Sequence, residues 1–196
     1  MRKQWIGCLV GGVVLFASPL AWAGHPQERR GFWIGLGAGY GSAGVGCDGC
    51  EGSERQDSFA GSLRLGGTLN ERVLLGFESN GWIKEQEGVT VTLGSFTGTV
   101  TFYPQARSGF FLKGGVGLSY IDTEVRDGSL SASLSKTGWG VLAGLGYDLR
   151  VGRNISITPL VNYYYGKPGD LEFEGETAFG GWSQNVVSLE IGITFH

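Results

Sequence analysis

The feature that most restricts this chain is a set of eight short runs in which apolar residues alternate with small or polar ones. Side chains of an extended strand point alternately to its two faces, so a period of two marks a strand between two different environments. Each run is close to the ~10 residues that a tilted strand needs to cross a bilayer. The first, Gly31 to Gly41, sets Phe32, Ile34, Leu36, Ala38 and Tyr40 against Trp33 and a row of glycines. The second, Ser58 to Leu69, sets Phe59, Leu63, Leu65 and Leu69 against Arg64. The third, Arg72 to Lys84, sets Val73, Leu75, Phe77 and Ile83 against Glu78 and Asn80. The fifth, Gly109 to Tyr120, opposes Phe110, Leu112, Val116, Leu118 and Tyr120 to Lys113. The sixth, Gly138 to Arg150, and the seventh, Ile155 to Tyr165, follow the same rule. The eighth ends the chain, with Val187, Leu189, Ile191, Ile193 and Phe195 against Ser188, Glu190, Gly192 and Thr194.

Two places depart from the pattern. In the fourth run, Val89 to Tyr103, Val89, Val91 and Leu93 share one parity and Phe96, Val100 and Phe102 the other. A bulge near Gly94-Ser95, or an upper part standing clear of the membrane, would reconcile them. Pro159 lies inside the seventh run and has no N–H for a ladder, so local irregularity is expected there.

Eight alternating strands fit either a soluble barrel or a transmembrane one, and the polarity of the faces decides. The face with the large apolar residues carries no Asp, Glu, Lys or Arg in the seven regular runs. A lipid-facing Arg or Lys at mid-depth costs ~2–4 kcal/mol, so this face suits lipid. The opposite face, largely glycine, serine and threonine, suits the narrow interior of an eight-stranded barrel. Aromatic residues add two girdles. Tyr40, Phe59, Tyr120, Trp139, Tyr163 and Tyr165 lie near the outer strand ends, and Phe32, Phe102, Phe110, Tyr147 and Phe195 near the inner ends. Eight steps from Phe32 to Tyr40 rise about 20 Å at ~3.3 Å per residue and a ~40° tilt. The expected fold is therefore all-β, an eight-stranded antiparallel transmembrane up-and-down barrel.

The ends of the chain agree with that fold. Residues 1–23 combine a basic start, an apolar run and Ala21-Trp22-Ala23, the anatomy of a cleavable secretory signal. Residues 24–30 then form a short periplasmic tail, and residues 31–196 the barrel. Glycine is far above its usual share of about 7%, at 37 of 196 residues, yet aromatics are abundant and prolines few, which points to tight β-structure. Cys47 and Cys50 are the two cysteines of the exported part and are candidates for a disulfide.

The segments Gly31 to Tyr40 and Tyr103 to Gly117, with the closing strand, resemble the outer-membrane β-barrel domain family, related to the OmpA, OmpX and OmpW types. The resemblance spans the mature chain and implies the fold, integral residence in the Gram-negative outer membrane with both termini periplasmic, and contact with lipid and lipopolysaccharide. It also implies handling by the barrel-assembly machinery, which reads a terminal aromatic. Here Phe195 is penultimate and His196 follows.

Arg64, Glu78, Lys113 and Glu190 all point inward by parity and lie at a similar distance from the periplasmic strand ends. Unpaired buried charges are expensive, so these four should form an ion-pair network that plugs the lumen. OmpA-like barrels have a comparable internal plug. Arg64 and Glu78, on neighbouring strands, are the first expected pair. Asp148, Asn162 and Tyr164 are further inward polar groups.

The longer loops are rich in Asp and Glu, which suits bridging divalent cations or attracting a cationic extracellular partner, and nothing resembles a nucleic-acid surface. Some small outer-membrane barrels modify lipid A, which requires a histidine base beside a serine. The only histidines are His25 and His196, and neither falls near a lipid-facing serine at the outer interface. No cofactor or metal cluster is indicated. The expected role is a structural or surface-interaction barrel; the alternatives are a narrow OmpW-like conduit for small or apolar molecules and, further off, a lipid A-modifying enzyme.

Overall fold

The structure is a computed structural model and describes residues 27–46, 54–86, 88–127, 130–173 and 176–196. Residues 1–23, read above as a secretory signal, and Cys47 and Cys50 lie outside the described residues.

Nine segments succeed one another: β1 (Phe32–Gly46), β2 (Gln56–Asn70), β3 (Val73–Gln86), β4 (Val89–Phe102), β5 (Phe110–Asp127), β6 (Leu130–Tyr147), β7 (Leu149–Arg150), β8 (Ile155–Phe173) and β9 (Glu176–Phe195). β6 and β7 are one stave interrupted at Asp148, so the barrel has eight staves, each antiparallel to the next. It closes through the β1–β9 and β6–β8 ladders. Closure removes the sheet edges, whose unpaired amides hydrocarbon could not satisfy.

One end holds the chain terminus and three tight connections. In the first, Asn70 Oδ1 accepts hydrogen bonds from the backbone N–H groups of Arg72 and Val73, a side-chain-capped turn. At the opposite end, here the loop end, the strands run past the ~10 residues that span a membrane. The β5–β6 ladder continues to Asp127 opposite Leu130, and the β8–β9 ladder to Phe173 opposite Glu176. The alternating segment at Leu171 to Phe173 thus lengthens the last hairpin.

The fourth run contains no bulge. β4 pairs with β3 in one unbroken register from Val89 opposite Gln86 to Phe102 opposite Val73. Its odd-numbered residues face inward throughout, and Leu93 is almost fully buried. The parity of the strand is constant; what changes along it is the polarity of the lumen. Pro159 interrupts one side only. The β8–β9 register passes it without a shift, while the ladder toward β6 and β7 lapses between Gly146 and Leu149, opposite Pro159 and Thr158. Register shifts of β8 on β9 lie instead beyond Gly166.

The outward face is apolar along the staves. Phe77, Val116, Leu189 and Ile191 are 53 to 69% exposed, a disposition that water would penalise and lipid rewards. Phe32, Tyr40, Phe59, Phe102, Phe110, Trp139, Tyr147, Tyr163 and Phe195 also stand exposed on this face. Tyr120 and Tyr165 are half-buried, the latter edge-on to Trp139 at 5.9 Å between ring centroids.

Candidate functional site: the barrel lumen

The lumen is layered, and its middle layer holds all four charges singled out from the sequence. Arg64, Glu78, Lys113 and Glu190 are each at most 6% exposed. Arg64 and Glu78 are direct cross-strand partners, yet they do not pair. Lys113 Nζ instead donates to Glu78 Oε1 at 2.6 Å and Oε2 at 2.7 Å, reaching across β4 from β5 to β3. Expecting Arg64 to take Glu78 was therefore a misreading, with a steric reason. Gly35, on the other side of Arg64, has no side chain, and a Cβ there would lie 3.0 Å from Arg64 Nη2 and 3.2 Å from Thr194 Oγ1. The guanidinium lies over that gap and donates to Thr194 Oγ1 on β9 at 3.3 Å.

Glu190 has no cation in contact among the described residues. Its Oε2 accepts from Ser62 at 2.5 Å, and its Oε1 from Ser188 at 2.6 Å and Asn162 at 3.0 Å. Asn162 also donates to Asn80 at 3.5 Å, which ties β8 to β3 across the lumen. Glycines again make the room. A Cβ at Gly37 would sit 2.6 Å from both Glu190 Oε2 and Ser62 Oγ, and one at Gly144 would meet Lys113 Cε at 2.7 Å. The inward glycines leave the space that long polar side chains occupy.

The layer at the termini end escaped the sequence reading. Trp33, Leu74, Tyr103, Phe111 and Leu160 form a buried apolar cluster there. Beside it, Asp148 accepts from Tyr103 Oη at 2.7 Å and Thr158 Oγ1 at 2.8 Å. Gln27 to Arg29, from the short segment ahead of β1, are bound into this end. Arg29 is buried, stands 3.5 Å over the Tyr103 ring, and donates to the carbonyls of Ala106 at 2.8 Å and Ser108 at 2.7 Å. Gln27 donates to the Asp148 carbonyl, and Arg150 to that of Glu28. The inward parity of Tyr103 and Asp148 was a visible signal; the return of Arg29 into the barrel was not.

His196 closes the same end. Its Nε2 lies 3.0 Å from Ser156 Oγ. Burial lowers the imidazole pKa to about 4, with Arg150, Arg29 and Arg64 acting in the same direction against Asp148. Ser156 is fully buried inside the barrel, so the pair lacks the access to lipid that acyl transfer would need. His25 lies outside the described residues.

The third layer, toward the loops, is apolar. Ala43, Ala60, Trp82, Leu93, Ile121, Leu142, Tyr164 and Val186 form a second buried cluster, with Val45, Val91 and Trp182 packed against it. The lumen face is therefore not uniformly small and polar, as the alternation had suggested. The parity change in the fourth run was the trace of this layer. Above the cluster opens a cavity of about 580 Å³. Among the described residues, no group of His, Cys, Asp and Glu side chains could hold a metal ion.

Comparison with known proteins agrees with this architecture. The attachment invasion locus protein Ail of Yersinia pestis superposes with a TM-score of 0.58 at 19% identity, over 85% of this chain and 99% of Ail. Ail bound to the heparin analogue sucrose octasulfate gives 0.57 at 17% identity, over 84% and 99%. Neisserial surface protein A gives 0.57 at 16% identity, over 86% and 98%. These likenesses are of fold. No curated protein matches the sequence. The family model for the outer membrane protein beta-barrel domain matches residues 8–195. The chain thus belongs to the outer membrane protein beta-barrel domain family and is an integral protein of the Gram-negative outer membrane.

Proposed function

We propose that this protein is a closed, non-enzymatic barrel whose work is done at its loop end, as a surface-interaction element of the outer membrane. One observation carries this reading: side chains from staves that are not neighbours meet at mid-depth. Lys113 on β5 holds Glu78 on β3, and Asn162 on β8 bonds both Asn80 on β3 and Glu190 on β9. Below this belt, Arg29 and Tyr103 fill the end that holds the termini. The polar belt and the filled termini end, both buried, argue against a continuous path for a hydrated ion. An eight-stranded barrel of this kind is a packed interior rather than a channel.

With the termini periplasmic, the long hairpins and acidic loops face outward. The Ail structure with sucrose octasulfate holds a polyanion. The acids of these loops suit the opposite sign, a cationic protein surface or divalent cations shared with lipopolysaccharide. Cys47 and Cys50 would staple the first of these loops when oxidised.

Conductance of the refolded barrel in a planar bilayer tests the reading. A silent wild type is the expected result, with current appearing only when Lys113→Ala in the belt is combined with Arg29→Ala and Tyr103→Ala at the termini end. Steady discrete channels in the wild type would sink it and favour a conduit, the reading to which the apolar layer lends support.

A further inference from the structure

We infer that the cavity at the loop end is a dead-end binding site for a small amphiphile, an apolar body carrying one carboxylate. The inference rests on the closed-barrel reading, because the mid-depth belt forms the floor.

Successive inward positions of β3 show how the site is built. Lys84 is at the rim, Trp82 in the wall, and Asn80 and Glu78 in the belt beneath. β4 runs beside it with Val89, Val91 and Leu93 in the wall before Ser95 and Thr97 reach the belt. Ile121 and Trp182 complete the apolar lining. A lumen meant only to be filled would carry large side chains here. Ala43, buried in the wall, keeps it open instead. At about 580 Å³ the cavity is within the ~300–1,000 Å³ usual for small-molecule sites, which are mostly apolar with a few placed polar groups.

The rim sets the polar end of the ligand. Lys84 Nζ donates to Gln56 Oε1 at 2.5 Å, a neutral partner that leaves the ammonium charge uncompensated at that contact. A carboxylate arriving with its chain in the cavity would meet this cation. Glu54, on the same rim, disfavours a second negative charge. A monocarboxylate with a medium-length chain fits both conditions, whereas a multiply charged anion fails the second.

The test uses the mature protein in lipid nanodiscs and 11-bromoundecanoate, whose bromine quenches tryptophan on contact. Lipid-facing Trp139 is replaced in a Trp139→Phe background, leaving Trp82 and Trp182 as reporters beside the cavity and Trp33, buried at the termini end, as a constant background. Saturable quenching is expected, displaced by dodecanoate and at least fivefold less readily by dodecanol. Ala43→Phe and Val91→Phe, which fill the cavity, should abolish saturation. Lys84→Gln should weaken the carboxylate severalfold and bring it level with the alcohol. Quenching that rises linearly and equally in wild type and filled variants is partition into lipid and overturns the site. Equal affinity of wild type and Lys84→Gln for the carboxylate overturns the ligand class, even if the filled variants fail to insert. A silent barrel with linear quenching overturns this site alone, and saturable quenching in a conducting barrel overturns the closed-barrel reading and the dead end with it, while the binding site stands.

Discussion

Lys113 Nζ sits within 2.7 Å of both carboxylate oxygens of Glu78, although β4 separates their strands. Both side chains are nearly sealed from water, so each is the other's main compensation for lost hydration. Glu78→Ala should therefore destabilise the barrel by about 3–5 kcal/mol in urea unfolding from lipid vesicles, by leaving a buried cation unpaired. Lys113→Ala should cost a similar amount, and the double variant no more than either single one. A double-mutant cycle of Arg64 with Glu78 should show a coupling much smaller than that of Lys113 with Glu78. Equal couplings would restore the cross-strand pair and refute the one described.

The glycines of β1 are predicted to be intolerant where they face the lumen. Gly37→Val places a Cβ 2.6 Å from both Glu190 Oε2 and Ser62 Oγ and should cost ~1–3 kcal/mol through displacement of that hydrogen bond. Gly67→Ala meets nothing within 4 Å and should stay within about 0.5 kcal/mol of wild type. Matching losses at the two positions would show that the lumen network does not depend on the space at Gly37.

Membrane exposure can be read at Phe77. It is 53% exposed near mid-stave, so Phe77→Lys should cost ~2–4 kcal/mol in vesicles. Glu85→Lys, at the exposed loop end of the same strand, should change stability by no more than about 0.5 kcal/mol. A neutral Phe77→Lys would mean that this face meets water.

His196 gives the barrel a mild acid sensitivity at its termini end. Its folded pKa of about 4 lies below the ordinary 6.5, so the unfolded chain binds the proton more readily over that interval. Stability should fall as pH drops from about 6.5 to about 4 and gain no further loss from this group below that. His196→Asn should remove this component from the pH profile of unfolding. An unchanged profile would show that the imidazole is hydrated in the folded protein.

Much of this protein was legible without coordinates, because lipid imposes a coarse and repeated rule. A one-residue slip turns every side chain of a strand to the other face, so the charge-free rows around Phe77 or Leu189 determined the parity of the seven regular staves, while the apolar layer of the lumen obscured it in the fourth. The inward direction of Arg64, Glu78, Lys113 and Glu190 followed from the same rule. Pairing did not, because it depends on which neighbours leave space. Gly35 draws Arg64 toward Thr194 on β9, and Glu78 is left to a lysine two strands away.

By itself, then, the sequence determined the strand period, the lipid-facing side and hence the membrane barrel, since these depend only on alternation along each strand. The tertiary structure alone decided the layering of the lumen. Arg29 returning under Tyr103, Glu190 held by Ser62, and the cavity above Leu93 all join residues far apart in the chain. Such contacts arise only when the sheet closes, because closure brings opposite staves within reach of one another.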